Sequence, residues 1–374
     1  MQNNNNSSYK NILILRLSSL GDVVLATSVI PVLKDRFPEA KISFLTSAKY
    51  VNVLQNNPYI DEIIEIKRYN LISFFRFVIG LRNKRFDLVI DLHFNPKTVV
   101  ISMLCGGKVR LRYKKGILRR RFMVFVARLR ALLCLITKKT LDSQLLGNDI
   151  VKIEIGDIKK YVHTIERYLI VFDKFLPVQI QTNKALPVLY PSEDDKKYVS
   201  KILQDNSATK IIGVFSGGKW AIKRWGASGF AKTGDLCWER YGAKSIILGD
   251  EKDKKIMNEV ASMMKYPPVI INEQLTILQL AALIGKCKLF VTNDTGPMHI
   301  AVAMKVPVLA IFGPTVLEFG FGPLGEKDRT VFAKIPCKPC VLHGGKHCLI
   351  KSHICMESIN PENVFKIIES MNVL

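Results

Sequence analysis

The segment NILILRLSSLGDVVLATSVIPVLKDRF, residues 11–37, decides the fold, because two different periodicities meet in it. NILILRL is a short run of branched apolar side chains, typical of a parallel strand buried on both faces. In VVLATSVIPVLKDRF, residues 23–37, the apolar side chains follow helical spacing. The intervening SSLGD is therefore expected to form a turn at the carboxyl end of a strand, where α/β proteins bind ligands.

The same alternation of strand and helix continues along the chain and then starts again after Pro187 and Pro191. With 374 residues the chain is too long for one growing core, so two domains are expected. Alternation of this kind predicts a right-handed, doubly wound α/β sheet in each domain. The strand patterns cover residues 41–46, 62–66 and 86–92, then 210–216, 243–249, 267–272, 288–294 and 306–313.

Domain boundaries follow from these patterns. We expect a disordered polar tail over residues 1–10, a first Rossmann-like domain over 11–185, a second over 186–360 and a C-terminal helix over 361–374. The polar start contains no apolar core of the signal-peptide type, which gives no indication of export. No apolar run reaches about 18 residues, so a membrane span is not expected.

The charge balance predicts an anionic partner. The chain carries 55 Lys and Arg against 32 Asp and Glu, a net charge of +23. Residues 108–139, which include KVRLRYKKGILRRRF, combine basic side chains with an apolar stripe. This pattern favours an anionic membrane surface, with an ordinary solvated basic face as the alternative. No zinc-finger, RRM or KH signature occurs, and nucleic acid is not expected as a partner.

Three turns that follow predicted strands are candidates for chemistry. In SSLGD, Asp22 either has a functional role at a ligand site or only caps the next helix. In GVFSGGKWAIKRW, residues 213–225, Gly218 and Lys219 imitate a Walker loop, but Trp220 stands where a magnesium-bound hydroxyl is required. Two interpretations of this segment remain: a phosphate-binding site that needs no metal ion, and a plain surface loop.

The third turn, TNDTGPMHIA, covers residues 292–301. Asp294, Thr295 and Gly296 precede a helix whose N-terminus could receive a pyrophosphate, and His299 lies within that helix. A lone histidine is usually a packing residue, but its position in this turn favours a functional role.

Four of the eight cysteines crowd into CKPCVLHGGKHCLIKSHIC, residues 337–355, hereafter the Cys-rich segment. A C-x-x-C pair followed by two more cysteines indicates a structural zinc site, formed by Cys337, Cys340, Cys348 and Cys355. Disulfides are the alternative, and they are disfavoured in the cytosol. The other cysteines are interpreted as inert core thiols, namely Cys105, Cys134, Cys237 and Cys287.

Taken together, these motifs resemble glycosyltransferase family 9, the lipopolysaccharide heptosyltransferases of Gram-negative bacteria. The matching pieces are ILILRLSSLGDVVLAT, DLVIDLHFNPKT and RLRYKKG, then the strand with its Gly-Gly turn and the following Lys-x-Trp (KRW, residues 223–225), ILGDEKD and NDTGPMHIA with VPVLAIFGPT. The resemblance implies a GT-B fold, with two Rossmann-like domains facing a central cleft. It also implies inverting transfer from ADP-heptose without a catalytic metal, at the cytoplasmic face of the inner membrane. The acceptor would be the Kdo-bearing inner core on lipid A.

Position by position, the resemblance makes Asp22 the general base and Lys223, not Lys219, the lysine on the donor phosphates. It assigns acceptor contacts to Ser18, Ser19 and Lys97. The remaining donor-binding positions that it implies are Ser216, Glu251, Asp294, Thr295, Gly296 and His299. The chain departs from the family pattern at Ser28, where proline is common, which weakens the inference about acceptor contacts on the first helix. Two alternatives stay open: transfer of another sugar, and a non-catalytic nucleotide-binding or nucleic-acid-binding protein.

Overall fold

The computed structural model describes residues 9–67, 69–113, 116–136, 152–156, 160–172, 185–203 and 210–374. Two compact units emerge: the first comprises Met1–Lys115 and Thr164–Ser192, the second Gly116–His163 and Glu193–Leu374. This division differs from the sequence-based boundaries in two places, because Gly116–His163 belongs to the second unit and residues 186–192 belong to the first. Most of the expected tail, residues 1–8, lies outside the described residues.

The first unit is built on a parallel sheet. Its described strands are β1 (Asn11–Leu15), β2 (Lys41–Ser47), β3 (Glu62–Ile66), β4 (Leu88–Asp91) and β5 (Val109–Arg112). They lie in the order β3-β2-β1-β4-β5, so β1 is central and pairs with β2 and β4. Ile12, Leu13, Ile14 and Leu15 are fully buried, as expected for a strand covered on both faces.

Helices connect these strands. They are α1 (Leu20–Ala26), α2 (Val29–Arg36), α3 (Val51–Leu54), α4 (Leu71–Gly80) and α5 (Pro96–Leu104). A further helix from the later segment, α7 (Thr164–Leu169), packs on α1 and α2. The single helical pattern of residues 23–37 becomes two helices. At the break the Thr27 and Ser28 hydroxyls donate to the carbonyls of Val24 and Leu25, each at 2.7 Å. Such bonds compete with the helical ladder and explain the interruption.

The second unit has a larger sheet in its described residues. Its strands are β6 (Lys152–Gly156), β7 (Ile211–Phe215), β8 (Lys244–Ile247), β9 (Val269–Ile270), β10 (Leu289–Asn293), β11 (Val308–Phe312) and β12 (Arg329–Lys334). The order is β6-β12-β11-β10-β7-β8-β9, and all pairs are parallel except β6 with β12. The expected doubly wound α/β architecture is confirmed in both units.

The helices of the second unit pack around this sheet. They are α6 (Ile117–Ile136), α8 (Glu193–Leu203), α9 (Ala227–Tyr241), α10 (Lys254–Met263), α11 (Ile277–Ile284), α12 (Gly296–Ala303), α13 (Ile354–Glu357) and α14 (Pro361–Met371). The core includes Trp225, just before α9, and Phe230, within α9, together with Ala131 from α6. Contact with this core explains why α6 belongs to the second unit. Within the described ranges, no helix combines the length and apolar character needed to cross a bilayer.

Candidate functional site

Asp22 lies in the first turn of α1, directly after the carboxyl end of β1. Its carboxylate is held from two sides. The Arg16 guanidinium contacts one oxygen (Nη2 to Oδ1, 2.5 Å), and Ser19 donates to the other from its hydroxyl (2.7 Å) and its backbone N–H (3.1 Å). The bond from the Ser19 N–H is half of a capping box, so Asp22 does cap α1.

The surroundings keep this carboxylate ionised. Burial raises the pKa of Asp22, but the Arg16 guanidinium and the hydrogen bonds from Ser19 outweigh burial and leave the pKa below its usual value. Of the Asp22 side chain, 19% stays exposed, so a ligand can still reach the carboxylate. The site therefore offers an ionised, orientated and accessible acceptor of protons.

Arg16 was missed by sequence reasoning, although it lies within the matching motif ILILRLSSLGD. Its side chain is 6% exposed, its Nη1 donates to the Leu92 carbonyl beyond β4, and its guanidinium lies 6.0 Å from the Tyr168 ring centroid. These contacts anchor the arginine to the ends of two adjacent strands. A basic residue on an otherwise apolar strand was the available signal.

The predicted acceptor residues lie at this edge of the first sheet. Ser18 and Ser19 form the turn between β1 and α1, with Ser18 half-buried and Ser19 exposed. Lys97 is exposed in the first turn of α5, which follows β4, the neighbour of β1. The Ser19 hydroxyl already donates to Asp22, so its role in the structure is to position that carboxylate.

In the second unit, the pairing of β7 with β10 brings two of the predicted turns together. Asn293, at the end of β10, donates through Nδ2 to the carbonyls of Ser216 (3.0 Å) and Gly217 (3.2 Å). Its Oδ1 accepts from the Trp225 N–H at 2.9 Å. The buried side-chain amide of Asn293 therefore fixes three backbone positions around residues 216–218, hereafter the Ser-Gly-Gly turn. Ser216 is fully buried, and its hydroxyl has no hydrogen-bond partner among the described residues.

Lys223 and Asp294 form an ion pair at this place. Lys223 Nζ lies 2.5 Å from Asp294 Oδ2, and the Thr315 hydroxyl donates to the same oxygen at 2.6 Å. Burial raises the pKa of Asp294, but Lys223, Thr315 and the nearby His299 outweigh it and hold the pKa below its usual value. The pair presents a fixed ammonium group next to the N-terminus of α12, which begins at Gly296.

The Ser-Gly-Gly turn tolerates no side chain at its centre. A Cβ on Gly217 would lie 2.2 Å from Asp253 Cγ, and Gly218 has a φ of +137°, which favours glycine. Asp253 Oδ1 accepts from the Gly218 N–H at 3.1 Å. The Arg224 guanidinium donates twice to the Gly218 carbonyl, at 2.6 and 2.9 Å. Asp253 and Arg224 thus fix the turn.

Other predicted residues lie around this centre. His299 is 5% exposed within α12, and Thr295 is the N-cap of that helix. Glu251 lies at the surface after β8, paired with Lys254 at 2.7 Å. Lys219 is exposed, with its ammonium 4.8 Å from the Trp220 ring centroid, whereas Lys223 is largely buried. The structure therefore brings Lys223, and not Lys219, to Asp294.

The four cysteines of the Cys-rich segment line one small cavity together with Lys338 and His353. Burial raises the pKa of Cys337 and of Cys355 to about 12, which keeps these thiols protonated. Among the residues that the structure describes, no group of three or more His, Cys, Asp and Glu side chains is arranged to hold a metal ion. The structural zinc stays a prediction that rests on cysteine spacing.

The Cys-rich segment also contacts the loops of the candidate site. His353 Nε2 lies 2.9 Å from the Ile222 carbonyl, next to Lys223. The Cys340 N–H donates to the Pro314 carbonyl at 3.2 Å, next to Thr315. The segment therefore supports both the loop that carries Lys223 and the loop that carries the hydroxyl partner of Asp294.

Two doubly wound units, the second with two small-residue turns and a fixed lysine at the carboxyl edge of its sheet, define an α/β protein of GT-B architecture. Residues 148–348 match the family model described as glycosyltransferase family 9 (heptosyltransferase). Since that match covers more than half of the chain, the chain belongs to glycosyltransferase family 9.

Individual relatives agree with this assignment. Over 44% of its length, this chain is 32% identical to lipooligosaccharide heptosyltransferase 2 of Campylobacter jejuni. The aligned part spans about half (52%) of that relative. It is 25% identical to lipopolysaccharide heptosyltransferase 2 of Escherichia coli K12, over 86% of this chain and 87% of the relative. A solved family 9 glycosyltransferase from Veillonella parvula shares the fold, with a TM-score of 0.72, 22% identity and 97% of each chain covered.

Proposed function

We propose that this chain is an inverting glycosyltransferase that transfers heptose from ADP-heptose to the Kdo-bearing inner core of lipopolysaccharide. The observation that carries the proposal is that each unit holds one charged side chain in place through contacts with its neighbours. An ionised carboxylate, Asp22, follows the central strand of one sheet, and a fixed ammonium, Lys223, lies at the carboxyl edge of the other. A base and a cation are what displacement of a diphosphate by a hydroxyl requires.

On the donor side, Lys223 would neutralise the charge that develops on the departing diphosphate. The N–H groups at the start of α12, after Thr295, add the positive end of a helix dipole. Asp294 orients Lys223, and the buried Ser216 hydroxyl is a further donor close to the Ser-Gly-Gly turn. Glu251, exposed after β8, would contact the ribose.

On the acceptor side, Asp22 would remove the proton from the attacking hydroxyl as the bond to the anomeric carbon forms. The nucleophile attacks opposite the departing ADP, so the anomeric configuration inverts. Arg16 and Ser19 aim the carboxylate, and Lys97 would contact the anionic acceptor. The positive net charge of +23 favours an acceptor that carries Kdo carboxylates and phosphates, at the cytoplasmic face of the inner membrane.

This chemistry needs no catalytic metal, since Lys223 and backbone N–H groups supply the positive charge. A structural zinc in the Cys-rich segment is a separate proposal, and its role would be to stiffen the support under Ile222 and Pro314.

Product mass spectrometry with a panel of donors tests the function. The purified chain is incubated with truncated, Kdo-bearing core acceptors and, separately, with ADP-heptose, ADP-glucose and a UDP-sugar. The proposal predicts a gain of one heptosyl residue with ADP-heptose and slower or no transfer from the others. Preferred transfer from another donor would replace the sugar in the proposal. Tight binding of nucleic acid without ADP binding would overturn the enzymatic role.

A further inference from the structure

The outer face of α6 carries a continuous stripe of large apolar side chains. At about 100° per residue its members fall within an arc of roughly 100° on the helix surface. Exposure is high along the whole stripe, with Leu118 83% and Phe122 66% exposed. We name it the α6 stripe; it consists of Leu118, Phe122, Phe125, Leu129, Leu132 and Leu133. The opposite face of α6, with Val124, Ala127 and Ala131, is buried, and Ala131 packs in the core of the second unit.

Arginines border the α6 stripe on both sides. The same rotation of about 100° per residue places Arg119 and Arg130 along one border, and Arg121 and Arg128 along the other. All four are exposed, and the helix ILRRRFMVFVARLRALLCLI contains no acidic residue. Arg128 also donates from Nε to the Cys340 carbonyl at 3.0 Å, which ties that border to the body of the unit. The result is an apolar surface between two basic rows.

Contiguous exposed apolar surface of this kind marks a place that another surface covers. A second copy of the chain would bring arginine rows against arginine rows, and α6 offers no carboxylate to pair with them. Nucleic acid would satisfy the arginines but leave the leucines and phenylalanines in water. An anionic bilayer satisfies both, because acyl chains accept the stripe while lipid phosphates accept the guanidinium groups.

We propose that α6 is an interfacial membrane anchor that lies parallel to an anionic bilayer, with the α6 stripe inserted below the headgroups and the four arginines on lipid phosphates. The anchor does not depend on which sugar the enzyme transfers. It would keep the second unit at the surface where a lipid-linked acceptor is found.

Vesicle co-sedimentation of the full chain tests the anchor. The vesicles contain either phosphatidylglycerol with phosphatidylethanolamine, or phosphatidylcholine alone. Phe122→Ser combined with Leu129→Ser removes apolar contacts from the stripe. The matched control, Tyr198→Ser combined with Met263→Ser, removes an exposed aromatic and an exposed aliphatic side chain elsewhere in the second unit. Thermal melting of each variant checks that it is folded.

The anchor predicts strong binding to anionic vesicles, weak binding to phosphatidylcholine and steep loss with added salt. The stripe variant should bind anionic vesicles at least tenfold more weakly than wild type, while the control binds like wild type. Arg119→Gln with Arg121→Gln should lower affinity roughly twenty-five-fold, because each cation near an anionic surface contributes about fivefold. Equal binding by the stripe variant and the control would overturn the proposal. So would a wild-type dimer that the stripe variant abolishes, since a second copy would then cover the stripe.

Discussion

Replacement of Lys223 by alanine separates the two lysines of the GVFSGGKWAIKRW segment. Lys223 is 12% exposed and pairs with Asp294, whose side chain is 11% exposed, whereas Lys219 projects into solvent over Trp220. If Lys223 contacts the donor diphosphate, Lys223→Ala removes that contact and also leaves the Asp294 carboxylate facing the phosphates. Lys219→Ala removes only an exposed charge and serves as the control.

The expected magnitude follows from the kind of contact. A charge-assisted hydrogen bond is worth about 1.5–3 kcal/mol, which corresponds to roughly ten- to a hundredfold in ADP affinity. The unpaired Asp294 carboxylate adds repulsion to that loss. Adding Asp294→Asn to Lys223→Ala removes the repulsion, so the double variant should bind ADP more tightly than Lys223→Ala alone. Lys219→Ala should change ADP affinity by less than about threefold, because exposed charges contribute little.

Isothermal titration with ADP measures all four proteins, and thermal melting confirms that each is folded. Because removal of one member of a buried ion pair costs about 3–5 kcal/mol of stability, Lys223→Ala should also melt at a lower temperature than the double variant. A greater loss of ADP affinity in Lys219→Ala than in Lys223→Ala would mean that Lys219, as in a Walker loop, is the lysine on the phosphates.

Three further predictions concern other parts of the chain. Asp22→Asn should lower turnover by roughly 10²–10⁴-fold and leave ADP affinity nearly unchanged; near-normal turnover in a folded variant would reduce Asp22 to a helix cap. Arg16→Gln removes the guanidinium that opposes the effect of burial, so the pKa of Asp22 should rise. Since the base acts only when ionised, the acidic limb of the kcat–pH profile should move to higher pH, and an unmoved limb would count against the assigned base. Elemental analysis of the purified chain should find about one zinc per chain if the Cys-rich segment binds metal; Cys337→Ser should then lose the zinc and bind ADP more weakly, and a metal-free native protein would remove the zinc from the account.

Periodicity predicted most of the architecture, because buried parallel strands have a strong local signal. The strand expected over residues 288–294 is β10, Leu289–Asn293, and the strand expected over 306–313 contains β11, Val308–Phe312. β5, β6 and β12 escaped prediction. β6 has few apolar residues and pairs antiparallel with β12 across a large sequence separation, which no local pattern encodes.

The placement of α6 was not predictable for a related reason. The basic segment of residues 108–139 reads as one feature, yet Val109–Arg112 is an edge strand of the first sheet and α6 packs on the second core. Because α6 has apolar residues on two faces, its sequence does not show which face is buried, or in which of the two cores. Residues 114–115 and 137–139 of this segment lie outside the described residues.

In the candidate site, too, some features could be predicted from the sequence and others could not. The turns that carry Asp22 and Asp294 could be located from sequence, because each follows a predicted strand and begins a helix. Their supporting partners could not, since the Arg16–Asp22 pair and the Asn293 contacts with the Ser-Gly-Gly turn depend on three-dimensional geometry. Asp253 lies in the matched ILGDEKD motif, but nothing local indicates that it accepts the Gly218 N–H.

The most direct test of the central claim is the anomeric configuration of the product. The chain is incubated with ADP-heptose and a truncated core acceptor, with and without added magnesium, and the new linkage is examined by proton NMR. Inverting transfer without a catalytic metal predicts a heptosyl product whose anomeric configuration is opposite to that of the donor, formed at the same rate with and without magnesium. A product that retains the donor configuration, or no heptosyl product under conditions in which the folded chain binds ADP, would contradict it.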